Sequence, residues 1–167
     1  ELTTGMRRGE ILGLQWKDVN FATGELHIKR QVVKKGAQTQ ITKPKTKSSI
    51  RTVILAPDMV EILAELKQTA TCEWMFPSPV NDGQPRNPTA LYHRFQLILE
   101  RANCKRVRFH DLRHTFATMA LENGMDIKTL SAMIGHVSAE TTLNIYSHIT
   151  DTMQQQAAVR IDRKIGG

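Results

Sequence analysis

The segment from His110 to Ala120 places its apolar residues at helical spacing, which fixes which residues can lie together. On a helix, positions 110, 113, 114 and 117 share one face, and positions 112, 116, 119 and 120 share the opposite face. We expect the second face to be buried and the first to present His110 beside Arg113. A guanidinium binds two phosphate oxygens and an imidazole can move a proton, so the pair suits a phosphate. The alternative is an amphipathic helix whose polar face is only solvated.

Length and composition are those of one domain with its own core. The chain has 167 residues, of which 40% are hydrophobic, so we expect a single domain over 1–167. It shows no apolar run of membrane-spanning length and no secretory signal. Cys72 and Cys104 have neither metal-ligand nor disulfide spacing, which favours a reducing compartment. The abrupt start at Glu1 predicts an N-terminally truncated piece of a larger protein.

Positive charge dominates one part of the chain. The net charge is +7, and between Leu26 and Pro57 there are eight Lys or Arg residues with no Asp or Glu. Solvated faces usually mix both signs, so this stretch favours contact with phosphates. A plain soluble hairpin remains the alternative. A second basic cluster directly precedes His110 and consists of Arg101, Lys105, Arg106 and Arg108.

The periodicity predicts an α+β fold. Strands are expected over Leu26–Val33, Thr39–Lys43 and Ile50–Leu55, with a hairpin turn at Lys35-Gly36. Helical spacing follows from Asp58 onward, where Asp58 and Glu61 have capping-box spacing. The expected architecture is a mostly helical domain with a small three-stranded antiparallel sheet on one side.

Four short motifs occur in a fixed order along the chain. They are Thr4–Glu10, His110–Thr115, Ile134–His136 and Tyr146–His148. Together with the lysine-threonine loop near residue 45, they resemble the tyrosine recombinase (phage integrase) family from about residue 3 to residue 148. The stretch Lys45–Thr52 is similar to integrases of conjugative transposons and phages of Gram-positive bacteria.

The resemblance implies a site-specific DNA recombinase that needs no cofactor and no metal. Members cut a strand with a tyrosine, form a 3′-phosphotyrosyl link and free a 5′-hydroxyl, and a second 5′-hydroxyl reverses the step. Position by position, the resemblance makes Tyr146 the nucleophile and has Arg7 and Arg113 bind the scissile phosphate. In this assignment, His110 and His136 hydrogen-bond the phosphate, and His110 also accepts the tyrosine proton. Lys45 is the general acid, and Glu10 supports Arg7. Lys45 is preferred over its loop neighbours because it precedes a threonine.

Other basic residues are expected to contact DNA phosphates without taking part in the chemistry. These are Lys43, Lys47, Arg51, Arg106 and Arg108. The chemistry itself also calls for cations, because a tyrosine with a pKa of roughly 10 is protonated at neutral pH. It needs a base or cations that favour the phenolate.

Several alternatives compete with this interpretation. His110 and His114 at i, i+4, with His136 as third ligand, have zinc-like spacing, but the neighbouring arginines would repel a cation. A type IB topoisomerase would use similar chemistry to relax DNA, and a non-catalytic DNA-binding module would share the basic surface. An RNA-binding domain is disfavoured because aromatic residues make up only 5% of the chain.

The expected partners are double-stranded DNA and further copies of the protein. In the family, an upstream helical domain clamps DNA, four protomers form a synapse, and a C-terminal segment passes to a neighbouring protomer. Residues 152–167 fit such a tail, because Met153, Ala157 and Ile161 form a thin apolar stripe at i, i+4 and i+8. We expect a DNA-associated protein of the bacterial cytoplasm, with no membrane partner.

Overall fold

A computed structural model describes residues 1–36, 38–44 and 49–135. It confirms the α+β class. The elements, in chain order, are α1 (Arg8–Leu12), a 3₁₀ turn (Trp16–Asp18), β1 (Val19–Asn20), β2 (Glu25–Ile28), β3 (Gln31–Lys35), β4 (Gln38–Thr42), β5 (Arg51–Ile54), α2 (Pro57–Gln68), α3 (Pro88–Arg101), α4 (Asp111–Glu122) and α5 (Ile127–Ile134). No helix within these residues is long and apolar enough to cross a bilayer.

The strands form two small antiparallel sheets. β2 lies between β1 and β5, with Leu26 opposite Val19 on one side and Val53 on the other. β3 and β4 form a separate hairpin, which turns at Gly36 with a positive φ of 62°. A three-stranded antiparallel sheet is therefore present, as predicted. Its third strand is β1, whereas the sequence pattern placed the second strand of the hairpin in this sheet.

The predicted strand Leu26–Val33 is wrong as a single element, because the chain leaves the first sheet between Ile28 and Gln31. Arg30 would continue the buried alternation of Leu26 and Ile28, but its guanidinium is bound to Asp18, which is wholly buried. Arg30 Nη1 also donates to the Gly13 carbonyl at 3.2 Å. The strand predicted from the alternating hydrophobic pattern is therefore interrupted at Arg30, where an internal ion pair forms instead.

The described residues form two apolar cores. The first is built around the sheet from residues such as Leu26, Ile28 and Val53, and the second joins α4 to α5. Gly5 lies against the second core with a φ of 61°, and a Cβ there would approach Phe116 Cδ1 to 2.5 Å. Only glycine fits this close contact at a positive φ. The contact brings the segment that carries Arg7 next to α4.

Capping residues explain three helix ends, and a proline explains a fourth, which differs from the sequence prediction. Asn87 caps α3 and Asp126 caps α5 through side-chain acceptors, and Gly135 ends α5 with a φ of 66°. The capping box predicted at Asp58 is wrong, because α2 begins at Pro57 with Ala56 as its N-cap. Proline at the first helical position has the φ that a helix requires, so the helix starts two residues earlier than a capping box at Asp58 would place it.

Candidate active site

Arg113 lies on the buried face of α4, which corrects the predicted orientation of this helix. Its relative exposure is 6%, and it shares its face with Phe116, Ala117 and Leu121. Met119, which was expected inside, is 52% exposed. A guanidinium can be buried here because Nη1 donates to the Gly5 carbonyl at 2.6 Å. The carbonyl thereby fixes the direction of the side chain.

Arg7 is held at the start of α1 by two acceptors. Its Nη1 donates to Glu10 Oε1 at 2.8 Å and its Nη2 donates to the Gly135 carbonyl at 2.6 Å. Its backbone N–H also donates to Glu10 Oε2 at 2.9 Å, so Glu10 caps the helix and holds the side chain. Arg7 keeps 34% of its side-chain surface exposed, whereas Glu10 keeps 1%. The pairing expected from the i, i+3 spacing is thus present.

Arg51 is not placed as a DNA contact should be. Its side chain is 7% exposed, and its Nη1 and Nη2 donate to Glu10 Oε1 and Oε2 at 3.1 Å and 2.9 Å. Its Nε also donates to the Met133 carbonyl, so each of its three nitrogens already has an acceptor within the protein. The sequence prediction of Arg51 as a DNA-binding residue is therefore corrected, and Arg51 belongs to the support of Glu10.

The electrostatics of the site follow from burial and from the clustered arginines. Burial, and then the charge of Arg7, lower the pKa of Arg113 to about 10, so it still carries its charge at neutral pH. Burial, followed by the charges of His114, Arg113 and Arg7, lowers the pKa of His110 below its ordinary value. His110 is therefore neutral at pH 7 and able to accept a proton.

A cleft of about 610 Å³ opens beside these residues. Arg7, Arg8 and His110 line it together with Lys34 of β3 and Tyr92 of α3. The cations Arg8 and Lys34 were not selected from the sequence. Arg8 directly follows Arg7, and Lys34 lies in the one-signed basic stretch, but neither position indicates which side of its element faces a site. The cleft offers an anion several cations and one neutral imidazole.

Three of the other predicted DNA contacts lie on the surface. Lys43, Arg106 and Arg108 are exposed. Arg108 keeps 81% of its side-chain surface although its Nη2 donates to Asp111 Oδ1 at 2.8 Å. That hydrogen bond, together with the charge of Arg108, lowers the pKa of Asp111. Arg106 and Arg108 border a second cleft of about 620 Å³, next to the first.

Four predicted site residues lie outside the described residues. They are Lys45, Lys47, His136 and Tyr146. Of the proposed catalytic groups, the structure brings together Arg7, His110 and Arg113. It also describes Gly135, the residue before His136, whose carbonyl is bound by Arg7.

The zinc interpretation rests on His110 and His114, whose rings pack edge to face with centroids 4.8 Å apart. Within residues 1–36, 38–44 and 49–135, no group of three His, Cys, Asp or Glu side chains is placed to hold a metal. The third ligand considered in the sequence, His136, lies outside those ranges.

The chain matches the model of the phage integrase family over residues 1–153. It is 33% identical to a tyrosine recombinase XerC-like protein of Caldanaerobacter subterraneus, over 92% of this chain and 45% of that protein. It is 27% identical to the ICEBs1 integrase of Bacillus subtilis, over 95% of this chain and 46% of that protein. The chain thus spans about half the length of the curated relatives it matches.

Solved structures show the same fold. The Tn1549 transposon integrase, in complex with a circular intermediate DNA, superposes with a TM-score of 0.80 at 23% identity, over 95% of this chain and 55% of that one. The XerA recombinase superposes with a TM-score of 0.68 at 27% identity, over 95% of this chain and 54% of that one. The resemblance seen in the four motifs is confirmed, and the chain belongs to the phage integrase family of tyrosine recombinases.

Proposed function

We propose that the protein is a site-specific DNA recombinase that cuts and rejoins strands through a 3′-phosphotyrosyl intermediate. The observation that carries the proposal is the convergence of Arg7 and His110, which line one cationic cleft, with the buried Arg113, whose charge acts on His110 and is itself acted on by Arg7. Two arginines and a neutral imidazole match what phosphoryl transfer needs without a metal: charge stabilisation and a proton acceptor. The names of the relatives, recombinases and integrases, support the same activity.

In the proposed first step, Tyr146 Oη attacks the scissile phosphorus. A bond forms between that oxygen and phosphorus, the bond from phosphorus to the 5′-oxygen breaks, and the DNA 3′-phosphate becomes linked to the tyrosine. The tyrosine proton passes to His110, and Lys45 gives a proton to the departing 5′-oxygen. Arg7 and Arg113 offset the charge that builds on the phosphate oxygens, joined by a hydrogen bond from His136.

In the second step, the 5′-hydroxyl of another strand attacks the phosphotyrosyl link and releases Tyr146. One phosphoester replaces another in each step, so the bond energy is retained and no nucleotide cofactor is required. The lowered pKa of His110 suits proton acceptance at neutral pH, and Arg113 remains charged there. The proposed site therefore uses different residues to accept the tyrosine proton, to donate a proton to the 5′-oxygen and to offset the charge on the phosphate.

The rival functions receive less support. A type IB topoisomerase-like activity would use the same chemistry, but the relatives are named as recombinases and integrases. A non-catalytic DNA-binding module would not need Arg113 buried and directed by the Gly5 carbonyl. Relaxation of plasmid DNA that lacks a special site would favour the topoisomerase.

The DNA partner is also a proposal, supported by the exposed basic surface. Lys43, Arg106 and Arg108 are exposed, and we assign them, together with Lys47, to contacts with phosphates on either side of the cut. The Tn1549 integrase and the XerH recombinase were each solved with DNA. We place this activity in the bacterial cytoplasm, where the chromosome lies.

The test of the proposed function is covalent trapping. The intact protein is incubated with a nicked duplex that carries an end of its mobile element, so that a short fragment diffuses away after cutting. We expect a protein–DNA complex that survives denaturant and disappears with protease. Absence of any such complex on every end tested, with binding intact, would contradict the proposal.

The proposed role of Lys45 as general acid predicts rescue by a better leaving group. Replacing Lys45 with Ala should slow cleavage of ordinary DNA, because the 5′-oxygen then departs without a proton. A substrate with a 5′-bridging sulfur should restore cleavage, since a thiolate leaves without protonation. Cleavage rates of both substrates by both proteins measure this. Lys47→Ala is the matched control in the same loop, and equal defects of Lys45→Ala on oxygen and sulfur would contradict the acid role.

The tail is proposed to couple protomers in a tetrameric synapse. Its apolar stripe is too thin to stabilise a helix alone in water, so it would gain more by packing on a neighbour. Deleting residues 152–167 from the intact protein should therefore weaken synapsis and complete recombination more than first-strand cleavage. Half-site cleavage and full recombination are measured side by side. An equal loss of both activities, or no loss of recombination, would contradict the intermolecular role.

A further inference from the structure

Arg51 joins three elements that converge on the candidate active site. From β5, its guanidinium holds both oxygens of Glu10 in α1, and its Nε donates to the Met133 carbonyl in the last turn of α5 at 2.5 Å. Nη1 also approaches the Ser49 carbonyl at 3.3 Å. Every nitrogen of the guanidinium is thus engaged inside the protein, so the side chain can act only through its neighbours.

The C-terminal end of α5 receives two arginines. Arg51 binds the Met133 carbonyl and Arg7 binds the Gly135 carbonyl. Carbonyls at a helix C-terminus lack helical partners and carry partial negative charge, so cations stabilise them. Gly135 also makes room for the approach, because a Cβ there would lie 2.9 Å from Arg51 Nη1. Arg51 and Arg7 therefore together hold the end of α5, through the carbonyls of Met133 and Gly135.

Arg51 also sets the charge that Arg7 can offer to a phosphate. Arg7, Glu10 and Arg51 together carry a net charge of +1, and Arg113 raises the sum of these four groups to +2. Burial alone would raise the pKa of Glu10, but the hydrogen bonds and charge of Arg51, followed by those of Arg7, lower it. Without Arg51, the direct ion pair with Glu10 would fall to Arg7, and the carboxylate would offset the charge that Arg7 can offer.

We propose that Arg51 is a positioning residue for strand cleavage, which acts through Glu10 on Arg7 and holds the end of α5 beside them. This inference rests on the proposed function, since it needs a cleavage reaction to be positioned. It replaces the role of DNA contact that the sequence suggested for Arg51. A buried arginine so placed changes the geometry and charge of the site without touching DNA.

The experiment compares Arg51→Gln and Arg51→Lys with the wild-type intact protein on the nicked duplex. We expect Arg51→Gln to lower the rate of covalent complex formation roughly 10- to 100-fold, because small displacements of catalytic groups are costly. DNA affinity should stay within about twofold, and the salt dependence of binding should not change, whereas loss of a phosphate contact lowers its slope by about 1. Arg51→Lys keeps the charge and should retain part of the cleavage rate.

Arg30→Gln is the matched control. Arg30 is also a largely enclosed arginine bound to a buried carboxylate, but its partners are Asp18 and the Gly13 carbonyl rather than Glu10 and the end of α5. Both glutamine variants should lower the melting temperature. Below that temperature, we expect only the Arg51 variant to cleave slowly.

A second-site change separates positioning from simple loss of stability. In the double variant Glu10→Gln with Arg51→Gln, the cancelling carboxylate is gone and the site regains its net charge of +2 on Arg7 and Arg113. The double variant should therefore cleave faster than Arg51→Gln alone, although it carries one more change in the core. Because Glu10→Gln also removes a buried carboxylate that has lost its main partner, the two variants are compared at equal fractions of folded protein, where a merely structural role predicts equal cleavage.

The outcomes distinguish this inference from the proposed function. If the wild-type protein forms no covalent complex, the proposed function fails. If the wild-type protein cleaves and both Arg51 variants cleave equally well, only the role of Arg51 is overturned. It is also overturned if cleavage falls in proportion to unfolding, as for Arg30→Gln, or if DNA affinity and its salt slope fall. Should Arg51→Gln not fold, Arg51→Lys and its affinity measurements decide between the same outcomes.

Discussion

Replacing Tyr146 with Phe is expected to abolish covalent attachment to DNA and to leave the fold and DNA binding unchanged. The substitution removes one hydroxyl, and that oxygen is the atom proposed to bond to phosphorus. Denaturing gels of the protein with a nicked duplex measure the adduct, and a binding assay on uncut DNA measures affinity. No other group at the site is proposed to take over as nucleophile, so the loss should be complete.

Tyr92 provides the matched control, because the chain contains two tyrosines and Tyr92 is the other one. It lies in α3 and lines the same cleft as Arg7 and His110. Tyr92→Phe removes the same atom from a side chain that borders the cleft, and it should still form the adduct. If Tyr92→Phe lost the adduct while Tyr146→Phe kept it, the nucleophile would be Tyr92.

Removing either phosphate-binding arginine should produce the second largest effect. Arg7→Ala and Arg113→Ala are each expected to slow cleavage by roughly 10²–10³-fold, the typical loss when one preorganised donor is removed from a transition state. Arg113→Lys should rescue poorly. A lysine carries the charge but cannot reproduce the planar fork, which binds the Gly5 carbonyl through Nη1 and is proposed to bind the phosphate through its remaining donors.

The measurement is single-turnover cleavage at saturating DNA, with thermal unfolding recorded for each variant. Arg108→Ala is the control, because Arg108 lies on the surface beside the start of α4 and is proposed to bind DNA without joining the chemistry. It should weaken affinity and leave the saturated rate nearly unchanged. A near-wild-type rate for Arg113→Lys would count against phosphate clamping by Arg113.

The sequence predicted the class of fold and the ends of several elements, because those depend on local chemistry. The hairpin predicted at Lys35-Gly36 turns at Gly36, and the strand predicted over Ile50–Leu55 is observed as β5, Arg51–Ile54. The i, i+3 pairing of Arg7 with Glu10 was also readable, since both residues lie in one helical turn. These features need only residues that are close along the chain.

Contacts between residues far apart in the chain made two sequence predictions wrong: the orientation of α4 and the role of the basic stretch. Helical spacing in α4 assigned Arg113 to the polar face, but Gly5, distant in sequence, supplies the carbonyl that lets it be buried. The one-signed basic stretch suggested phosphate contacts throughout. In space, Arg30 and Arg51 of that stretch are bound to the buried acids Asp18 and Glu10, which precede it in the chain. Charge counted along a sequence does not reveal partners brought in by the fold.

At the candidate site, motifs predicted which residues are present, but not their burial, charge state or neighbours. Motifs selected Arg7, His110 and Arg113, and the structure places all three near one cleft. The structure adds what motifs do not contain: the neutral state of His110 at pH 7, the enclosure of Arg51, and the approach of Arg8 and Lys34 to the cleft. These properties depend on burial and neighbouring charges, which are set by packing.

The most direct test of the central claim is to identify the residue that carries the DNA. The covalent complex is digested with nuclease and protease, the peptides are sequenced by tandem mass spectrometry, and the released DNA end is tested for labelling by a 5′-hydroxyl kinase. The account predicts a nucleotide attached through its 3′-phosphate to Tyr146 and a free 5′-hydroxyl on the other side of the cut. A nucleotide on any other residue, or a link through a 5′-phosphate, would contradict it.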